Sequence, residues 1–207
     1  MKASIGGYAQ AETVAHAIAL LGEAGGEGRI LAGGQSLVAA LNLGTSAGDM
    51  LIDIAGIAAL RGVKLDGDRL VIGALTRHCD LVRDPLVGEH APLFAKAAPL
   101  VAHDAIRNRG TIGGALAHAD PAAEFPACIL ALGATLHAHG PDGDRDIPAE
   151  AFFEDVFTTA LAEDEILTAI SVPKAEPGER HVIEEVARRS GDYALTGLCL
   201  VRRSAGH

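Results

Sequence analysis

Aromatic and basic side chains are scarce in this chain of 207 residues. It contains no tryptophan, two tyrosines and five phenylalanines, and its 17 basic residues stand against 27 acidic ones, for a formal net charge of −10. Proteins that bind nucleic acids hold phosphates mainly with clustered lysine and arginine, and they stack bases on aromatic rings. The composition therefore argues against a general nucleic-acid-binding function.

Cysteine is also scarce: Cys79, Cys128 and Cys199 lie far apart, and no Cys-x-x-Cys motif occurs. This excludes a zinc ribbon or a cysteine-ligated iron–sulfur cluster built by this chain alone. The low, odd count predicts a reducing compartment. No N-terminal stretch has the pattern of a signal peptide, and no apolar run reaches transmembrane length. We therefore expect a soluble, cytoplasmic protein without membrane insertion.

Hydrophobic periodicity and turn residues predict a mixed chain of helices and strands. The predicted helices are 11–24, 37–43, 76–82, 93–100 and 121–132. The predicted strands are 29–32, 50–54, 63–65, 70–72, 135–139, 145–147, 166–172, 181–188 and 194–201. Ser36 and Thr76 are the expected N-caps, and 103–114 is expected to be irregular.

Glycine is abundant, with 25 residues, and two glycine loops are the candidate binding elements: Ala32-Gly33-Gly34-Gln35-Ser36 and Thr111-Ile112-Gly113-Gly114. The first lies between a predicted strand and a predicted helix, where backbone amides can bind phosphate without lysine side chains. Neither loop is a Walker A or Gly-x-Gly-x-x-Gly motif. We expect one diphosphate gripped from two sides, with close backbone approach at the glycines. A tight turn that binds nothing is the alternative.

Other polar residues near the loops have plainer interpretations. Arg107-Asn108-Arg109 precedes the second loop, and we expect a structural role for its arginines. His118 and Asp120 lack the i, i+4 spacing of a helical metal site, so a metal is disfavoured, and Asp120 is more typical of a helix cap. The pair His78-Cys79 is expected on a helix surface.

Six segments, taken in chain order, carry a resemblance to a known family: 30–37, 51–54, 72–74, 106–114, 119–124 and 165–167. The combination of Ala-Gly-Gly-Gln-Ser with Arg-Asn-Arg-Gly-Thr-Ile-Gly-Gly is highly specific. These segments resemble the FAD-binding medium subunit of molybdenum hydroxylases, which include carbon monoxide dehydrogenase and the xanthine and nicotine dehydrogenase relatives.

The resemblance implies an α+β protein with the FAD-binding fold shared with vanillyl-alcohol oxidases (PCMH-type), in which two α/β subdomains hold an extended FAD. We expect the first subdomain over 1–55 and the second over 56–173. The remaining 174–207 would be a linker and the start of an incomplete C-terminal domain, since the family carries a further domain there.

The same resemblance implies the site residues. Ala32 to Ser36 and Thr111 to Gly114 would hold the pyrophosphate of FAD. Asp120 would lie near the adenosine end, and Tyr193, in a segment similar to the family's Arg-x-Gly-Asp-Tyr/Phe-Ala, would pack beside the isoalloxazine. No catalytic residue and no metal ligand are expected of this chain.

The function implied is that of an electron-transfer subunit. Electrons would pass from [2Fe–2S] clusters on a small partner subunit to FAD and then to an external acceptor, while a large molybdopterin-binding subunit oxidises the substrate. A dimer of such heterotrimers is the expected assembly.

Two departures from the family pattern keep another interpretation open. Ala115 replaces the usual Asn or Ser after the second loop, and Gly44 stands where the family has arginine. With the incomplete C-terminal domain, these suggest as an alternative a truncated, non-catalytic binding or assembly module that has lost FAD. A stand-alone flavin oxidase is a third, weaker interpretation, since it would need its own substrate pocket.

Overall fold

A computed structural model describes residues 5–45 and 50–203 of the chain. The N-terminal part alternates strands and helices: β1 (Gly7–Gln10), α1 (Val14–Ala24), β2 (Gly28–Leu31), α2 (Leu37–Leu43) and β3 (Met50–Asp53). The three strands form a parallel sheet in the order β1-β3-β2. The first glycine loop therefore lies where β2 ends and α2 begins.

Helix α1 has clear sequence signals at both of its ends. The Thr13 side chain accepts a hydrogen bond from the His16 amide at 3.0 Å, as an N-cap does. Gly25 ends the helix in the left-handed conformation, with φ of 58°, which glycine adopts without steric cost. The predicted end of this helix at Gly25-Gly26 is confirmed.

A second, antiparallel sheet has five strands, β4 (Val63–Asp66), β5 (Arg69–Gly73), β6 (Thr135–Gly140), β7 (Gly143–Pro148) and β10 (Ile166–Pro173), in the order β4-β5-β10-β6-β7. Hairpin β4–β5 pairs locally, and so does hairpin β6–β7, while β10 lies between them and pairs with β5 and β6. Both predicted hairpins are confirmed. The short strands β8 (Phe153–Asp155) and β9 (Thr158–Thr159) lie between β7 and β10 along the chain and pair with each other.

Six helices between the two hairpins cover this sheet and build the larger core. Phe94, Phe125 and Phe152 are its largest buried side chains. A smaller core lies around α1 and β3 and includes Ile52 and Leu75. The helices are α3 (His78–Arg83), α4 (Pro85–His90), α5 (Pro92–Ala97), α6 (Asp104–Arg107), α7 (Ile112–His118) and α8 (Glu124–Leu132).

A final hairpin consists of β11 (Arg180–Val186) and β12 (Thr196–Arg202), close to the predicted strands. Its inner face, with Ile183, Cys199 and Val201, packs against the larger core. Within the described ranges, no helix is long and apolar enough to cross a bilayer. The overall mixture of helices and sheets confirms the predicted α+β class.

Several local predictions are wrong. The segment 103–114 is not irregular, since it contains α6 and the start of α7. Thr76 does not cap a helix: its hydroxyl donates to the Gly62 carbonyl and accepts from the Gly62 amide, both at 3.1 Å. Ser36 does occupy the N-cap position of α2, but its side chain makes no capping hydrogen bond.

Candidate functional site

The first glycine loop presents unused backbone donors. In the described part of the chain, the amides of Gly33, Gly34, Gln35 and Ser36 have no protein acceptor. Gly34 adopts a φ of 71°, and the Gln35 side-chain amide donates to the Gly33 carbonyl at 3.1 Å, which fixes the turn. Gly33, Gly34 and Gln35 are half-buried and Ser36 is exposed, so three of the four donors lie in a partly desolvated place. Such a set of amides suits an anionic ligand.

The second glycine loop uses its backbone donors within the protein. The Ile112 amide donates to the Thr76 carbonyl at 3.0 Å, and the Gly113 amide donates to the Ala74 carbonyl at 2.9 Å. The Gly114 amide donates to the Thr111 hydroxyl at 3.2 Å, because Thr111 is the N-cap of α7. These bonds attach the loop to the segment after β5. Contact of Thr111, Ile112, Gly113 and Gly114 with a cofactor stays a prediction.

The two loops lie against each other. A Cβ placed on Gly33 would stand 2.9 Å from both the Arg109 carbonyl carbon and the Gly110 Cα. The Ala32 Cβ is 3.7 Å from where a Cβ on Gly114 would be. Because atoms this close leave no room for a side chain, Gly33 lets one loop pack on the other. The two loops are therefore neighbours in the structure, and a diphosphate held between them stays a prediction.

At Gly113, the group that approaches the glycine closely is another part of the protein chain. A Cβ on Gly113 would lie 2.5 Å from the Ala74 Cβ and 2.7 Å from the Ala74 carbonyl oxygen. Gly113 is buried, as are Ile112 and Thr111. Glycine at position 113 is therefore required by packing within the fold, in contrast to the expectation that it clears space for a ligand.

The two arginines before the second loop differ in their contacts. Nη1 of Arg107 donates to the carbonyls of Pro99, Val101 and Ala102 at 3.1, 2.7 and 2.9 Å. Its Nη2 pairs with Asp104 at 2.5 Å. Arg107 thus holds the preceding segment in place, which confirms a structural role. Arg109 is exposed, and its guanidinium has no partner among the described residues.

His78 lies beneath the second loop and contradicts the prediction of a helix-surface pair with Cys79. Only 4% of it is exposed, and its ring meets Phe125 edge-on at a centroid distance of 5.0 Å. A Cβ on Gly110 would stand 3.0 Å from its Cε1. Neither ring nitrogen has a hydrogen-bond partner in the described chain, and burial lowers the pKa of His78 to about 4. The imidazole is therefore neutral near pH 7.

Asp120 and Tyr193 come together beyond the C-terminal end of α7. Ala119 ends that helix with a φ of 51°, and the Asp120 carboxylate accepts the Ala122 amide at 2.9 Å. It thus forms a local turn, and α8 begins only at Glu124 with Ala123 as its N-cap residue, so Asp120 is not a helix cap. Burial, followed by the Asp120 carboxylate, raises the pKa of Tyr193.

Tyr193 is nevertheless well exposed, at 67%, in the loop between β11 and β12. That loop rests on the chain just before α6, since Gly191 lies against His103 and the Ala102 carbonyl. Beside Asp120, a shallow cavity of about 210 Å³ opens at the surface. No group of three or more His, Cys, Asp or Glu side chains among the described residues is arranged to hold a metal.

Comparison with known proteins identifies the family. Residues 3–175 match the family model described as the FAD binding domain in molybdopterin dehydrogenase. The carbon monoxide dehydrogenase medium chain of Hydrogenophaga pseudoflava is 40% identical over 200 residues, or 97% of this chain and 70% of that protein. Subunit alpha of the 6-hydroxypseudooxynicotine dehydrogenase complex of Paenarthrobacter nicotinovorans is 40% identical over 92% of this chain and 64% of that protein.

Solved structures agree with these sequence matches. The whole chain superimposes on 72% of a chain of carbon monoxide dehydrogenase from Hydrogenophaga pseudoflava with a TM-score of 0.97 and 40% identity. Against quinoline 2-oxidoreductase from Pseudomonas putida 86, the TM-score is 0.90 with 34% identity, over 95% of this chain and 68% of that one. The chain therefore belongs to the family of FAD-binding domains of molybdopterin dehydrogenases, and FAD is its cofactor.

Proposed function

We propose that this chain is the FAD-binding electron-transfer subunit of a molybdenum hydroxylase. It would accept electrons from [2Fe–2S] clusters of a partner subunit and pass them to an external acceptor. The observation that carries the proposal is the first glycine loop, whose amides have no acceptor among the described residues and whose Gly33 packs against Arg109 and Gly110, directly before the second loop. The family match and the similarity to carbon monoxide dehydrogenase medium chains support it.

The first loop would bind the FAD diphosphate. The amides of Gly33, Gly34, Gln35 and Ser36 have no acceptor in the part of the chain that the structure describes, and the Ser36 hydroxyl adds another donor. A diphosphate carries negative charge that converging amides neutralise without a cation. This arrangement fits a chain with a net charge of −10, in which a lysine-based phosphate site is absent from the loop.

The second loop would form the opposite wall of the diphosphate site. Its amides are held by Ala74, Thr76 and Thr111, so its contribution would be shape and position more than donated hydrogen bonds. The Thr111 hydroxyl accepts the Gly114 amide and keeps its own proton for donation. The wall is rigid because it is attached to the chain after β5. Rigid walls hold a ligand in one geometry and reduce the entropy lost on binding.

Asp120 and Tyr193 would both lie at the same end of the bound FAD. The resemblance assigns Asp120 to the adenosine side and Tyr193 to the isoalloxazine, which are opposite ends of an extended cofactor. The influence of the Asp120 carboxylate on the Tyr193 hydroxyl supports a common location for both. We therefore assign both to the flavin end, where a largely exposed tyrosine face is available for an aromatic ring.

The flavin, when bound, supplies the redox chemistry, and the residues of this chain supply position and electrostatics. The two loops would fix the diphosphate, and Tyr193 would restrict the ring plane beside it. Asp120, already bonded to the Ala122 amide, would keep the tyrosine hydroxyl oriented. No proton transfer is required of any side chain in this scheme.

The partners proposed are a large molybdopterin-binding subunit and a small [2Fe–2S] subunit, assembled as a dimer of heterotrimers in the cytoplasm. The names of the relatives as medium chains and as a dehydrogenase complex subunit support a multi-subunit enzyme. We also propose the organisation 1–55, 56–173 and 174–207, because the whole parallel sheet lies within the first of these ranges, although the smaller core beneath it also takes in Ile57, Leu60, Leu75 and Ile166.

Titration of the purified chain with FAD, followed by flavin fluorescence, tests the proposal. We expect saturable quenching at micromolar concentrations. The variant Gly33→Ala should weaken binding by at least about tenfold, equivalent to about 1.4 kcal/mol, because a Cβ there forces the loops apart.

Gly88→Ala is the matched control, since position 88 lies on α4 with nothing within 4 Å of a new Cβ. It should bind FAD as the parent chain does. A folded parent chain that does not quench FAD at any concentration would overturn the proposal and leave the non-catalytic module as the interpretation. Equal affinity of Gly33→Ala and Gly88→Ala would remove the first loop from the site.

A further inference from the structure

Two of the three cysteines face each other across an interface between distant parts of the chain. Cys128 lies on α8 and Cys199 on β12, 71 positions apart, and their Sγ atoms are 3.6 Å from each other. Both are free thiols, and so is Cys79 on α3. A disulfide has an S–S bond of about 2.05 Å, so the two sulfur atoms need to approach by only about 1.5 Å.

The two thiols differ in exposure. Cys128 is fully buried in the larger core, whereas Cys199 is half-buried on the inner face of the final hairpin. This arrangement gives the pair one member that solutes can reach and one that they cannot. The reachable thiol can react first, and the buried thiol then has a single partner within reach.

The electrostatics of the pair favour ionisation at Cys199. A hydrogen bond from the Cys128 thiol lowers the pKa of Cys199, although burial and the carboxylates of Glu124 and Glu185 oppose this effect. The hydrogen bond with Cys199, together with burial and the Glu124 carboxylate, raises the pKa of Cys128. Burial and Asp80 raise the pKa of Cys79. Since the thiolate is the reactive form, Cys199 is the thiol placed to react first.

We propose that Cys128 and Cys199 are an oxidation site, a peroxide-reactive thiol pair that closes to a disulfide and joins the final hairpin covalently to α8. This goes beyond the proposed function and does not depend on it, because it follows from two sulfur atoms of this chain alone. The co-reactant is hydrogen peroxide.

The reaction balances in two steps. The Cys199 thiolate attacks one peroxide oxygen, so that an S–O bond forms, the O–O bond breaks and hydroxide leaves with a proton as water. The Cys128 sulfur then attacks the Cys199 sulfur, so that the S–S bond forms, the S–O bond breaks and a second water leaves. Two thiols lose two electrons in total, and one peroxide is reduced to two waters.

The disulfide would restrain the region that carries Tyr193. The loop with Tyr193 joins β11 to β12, and α8 begins four residues after Asp120. Joining β12 to α8 therefore fixes the hairpin that bears the tyrosine to the helix next to the aspartate. The distance between the side chains of Tyr193 and Asp120 would then stay the same when the hairpin opens locally.

Peptide mapping of the full chain after treatment with hydrogen peroxide tests the proposal. Trypsin places the three cysteines on different peptides, 78–83, 110–145 and 190–202. We expect one linked species of peptides 110–145 and 190–202, lighter by two hydrogen atoms than their sum, with 78–83 still alkylated as a free thiol. The first step should speed up by up to about tenfold from pH 7 to pH 8 as the thiolate fraction rises.

Cys79→Ser is the matched control and should give the same linked species at the same rate. Cys199→Ser should give no linked species and should leave Cys128 alkylated after unfolding. Because serine at buried position 128 could prevent folding, Cys199→Ser carries the test. A linked species that contains 78–83, or oxidation of Cys199 to its sulfinic acid while Cys128 stays a free thiol, would overturn the proposal.

Discussion

The two glycine loops are similar in sequence but use their backbones differently. In the first, from Ala32 to Ser36, the last four amides have no acceptor among the described residues, and all but the exposed Ser36 are half-buried. In the second, from Thr111 to Gly114, three amides bond within the protein and the residues are mostly buried. A Gly-Gly pair in a sequence therefore predicts close approach, but it does not say whether the approaching group is a ligand or another part of the chain.

The largest expected effect comes from a side chain in the second loop. Gly113→Val would place Cβ within 3 Å of three Ala74 atoms, two of which are backbone. We expect a loss of at least about 3 kcal/mol in the free energy of unfolding, because overpacking there also disturbs the Gly113 to Ala74 hydrogen bond. Urea unfolding followed by circular dichroism measures it.

Gly88→Val serves as the control for that measurement, since a new Cβ at position 88 meets nothing within 4 Å. Its stability should stay within about 0.5 kcal/mol of the parent chain. If Gly113→Val is as stable as this control and only loses FAD, then the second loop is a ligand-binding element like the first, and the contrast between the loops fails.

Acid should destabilise the second loop through His78. Its pKa in the folded chain is about 4, below the ordinary value of 6.5, so the unfolded chain binds more protons between pH 6.5 and pH 4. The free energy of unfolding therefore falls as the pH is lowered through this window, by up to about 3 kcal/mol. Urea midpoints measured between pH 7 and pH 4 follow this loss.

Two variants separate the effect of His78 from that of other titrating groups. His78→Leu removes the buried imidazole, so the midpoint should fall less steeply over the same window. His16→Gln, at an exposed position on α1, should keep the slope of the parent chain. Equal slopes for His78→Leu and the parent chain would show that the fold does not lower the pKa of His78.

The smallest expected change in stability is the one that distinguishes Arg107 from Arg109, the two arginines before the second loop. Arg107→Ala removes three hydrogen bonds to carbonyls and an ion pair with Asp104, and it should cost about 2 kcal/mol of stability. Arg109→Ala should change stability by less than about 0.5 kcal/mol, because its exposed guanidinium has no protein partner in the described chain. Similar losses for both variants would contradict the assigned contacts.

Elements with strong local signals are the ones that the sequence predicts correctly. The hairpin at Asp66-Gly67-Asp68 and the helix end at Gly25 depend on turn residues whose preferences are local. Strand β1 has no such signal: Gly7–Gln10 holds only two apolar residues, and its pairing with Met50–Asp53 lies 43 positions away. Its assignment requires tertiary contacts.

The candidate site shows the same limit. The sequence indicates both loops, because the order of their motifs resembles a family, and the structure places them in contact. It does not indicate that Ala74 and Thr76 accept the amides of the second loop, since those bonds join residues 39 and 36 positions apart. The sequence also predicts, wrongly, that His78 lies on a helix surface, because a histidine at a helix start gives no local sign of burial.

The central position of β10 has a consequence for the order in which the chain can fold. Hairpins β4–β5 and β6–β7 can each close as soon as they leave the ribosome, but the strand that joins them starts 93 residues after Gly73. At ordinary rates of synthesis this is a delay of about 5–20 s, during which one edge of β5 has no neighbour. A nascent chain stopped before Ile166 would therefore expose a strand edge that can pair with other chains.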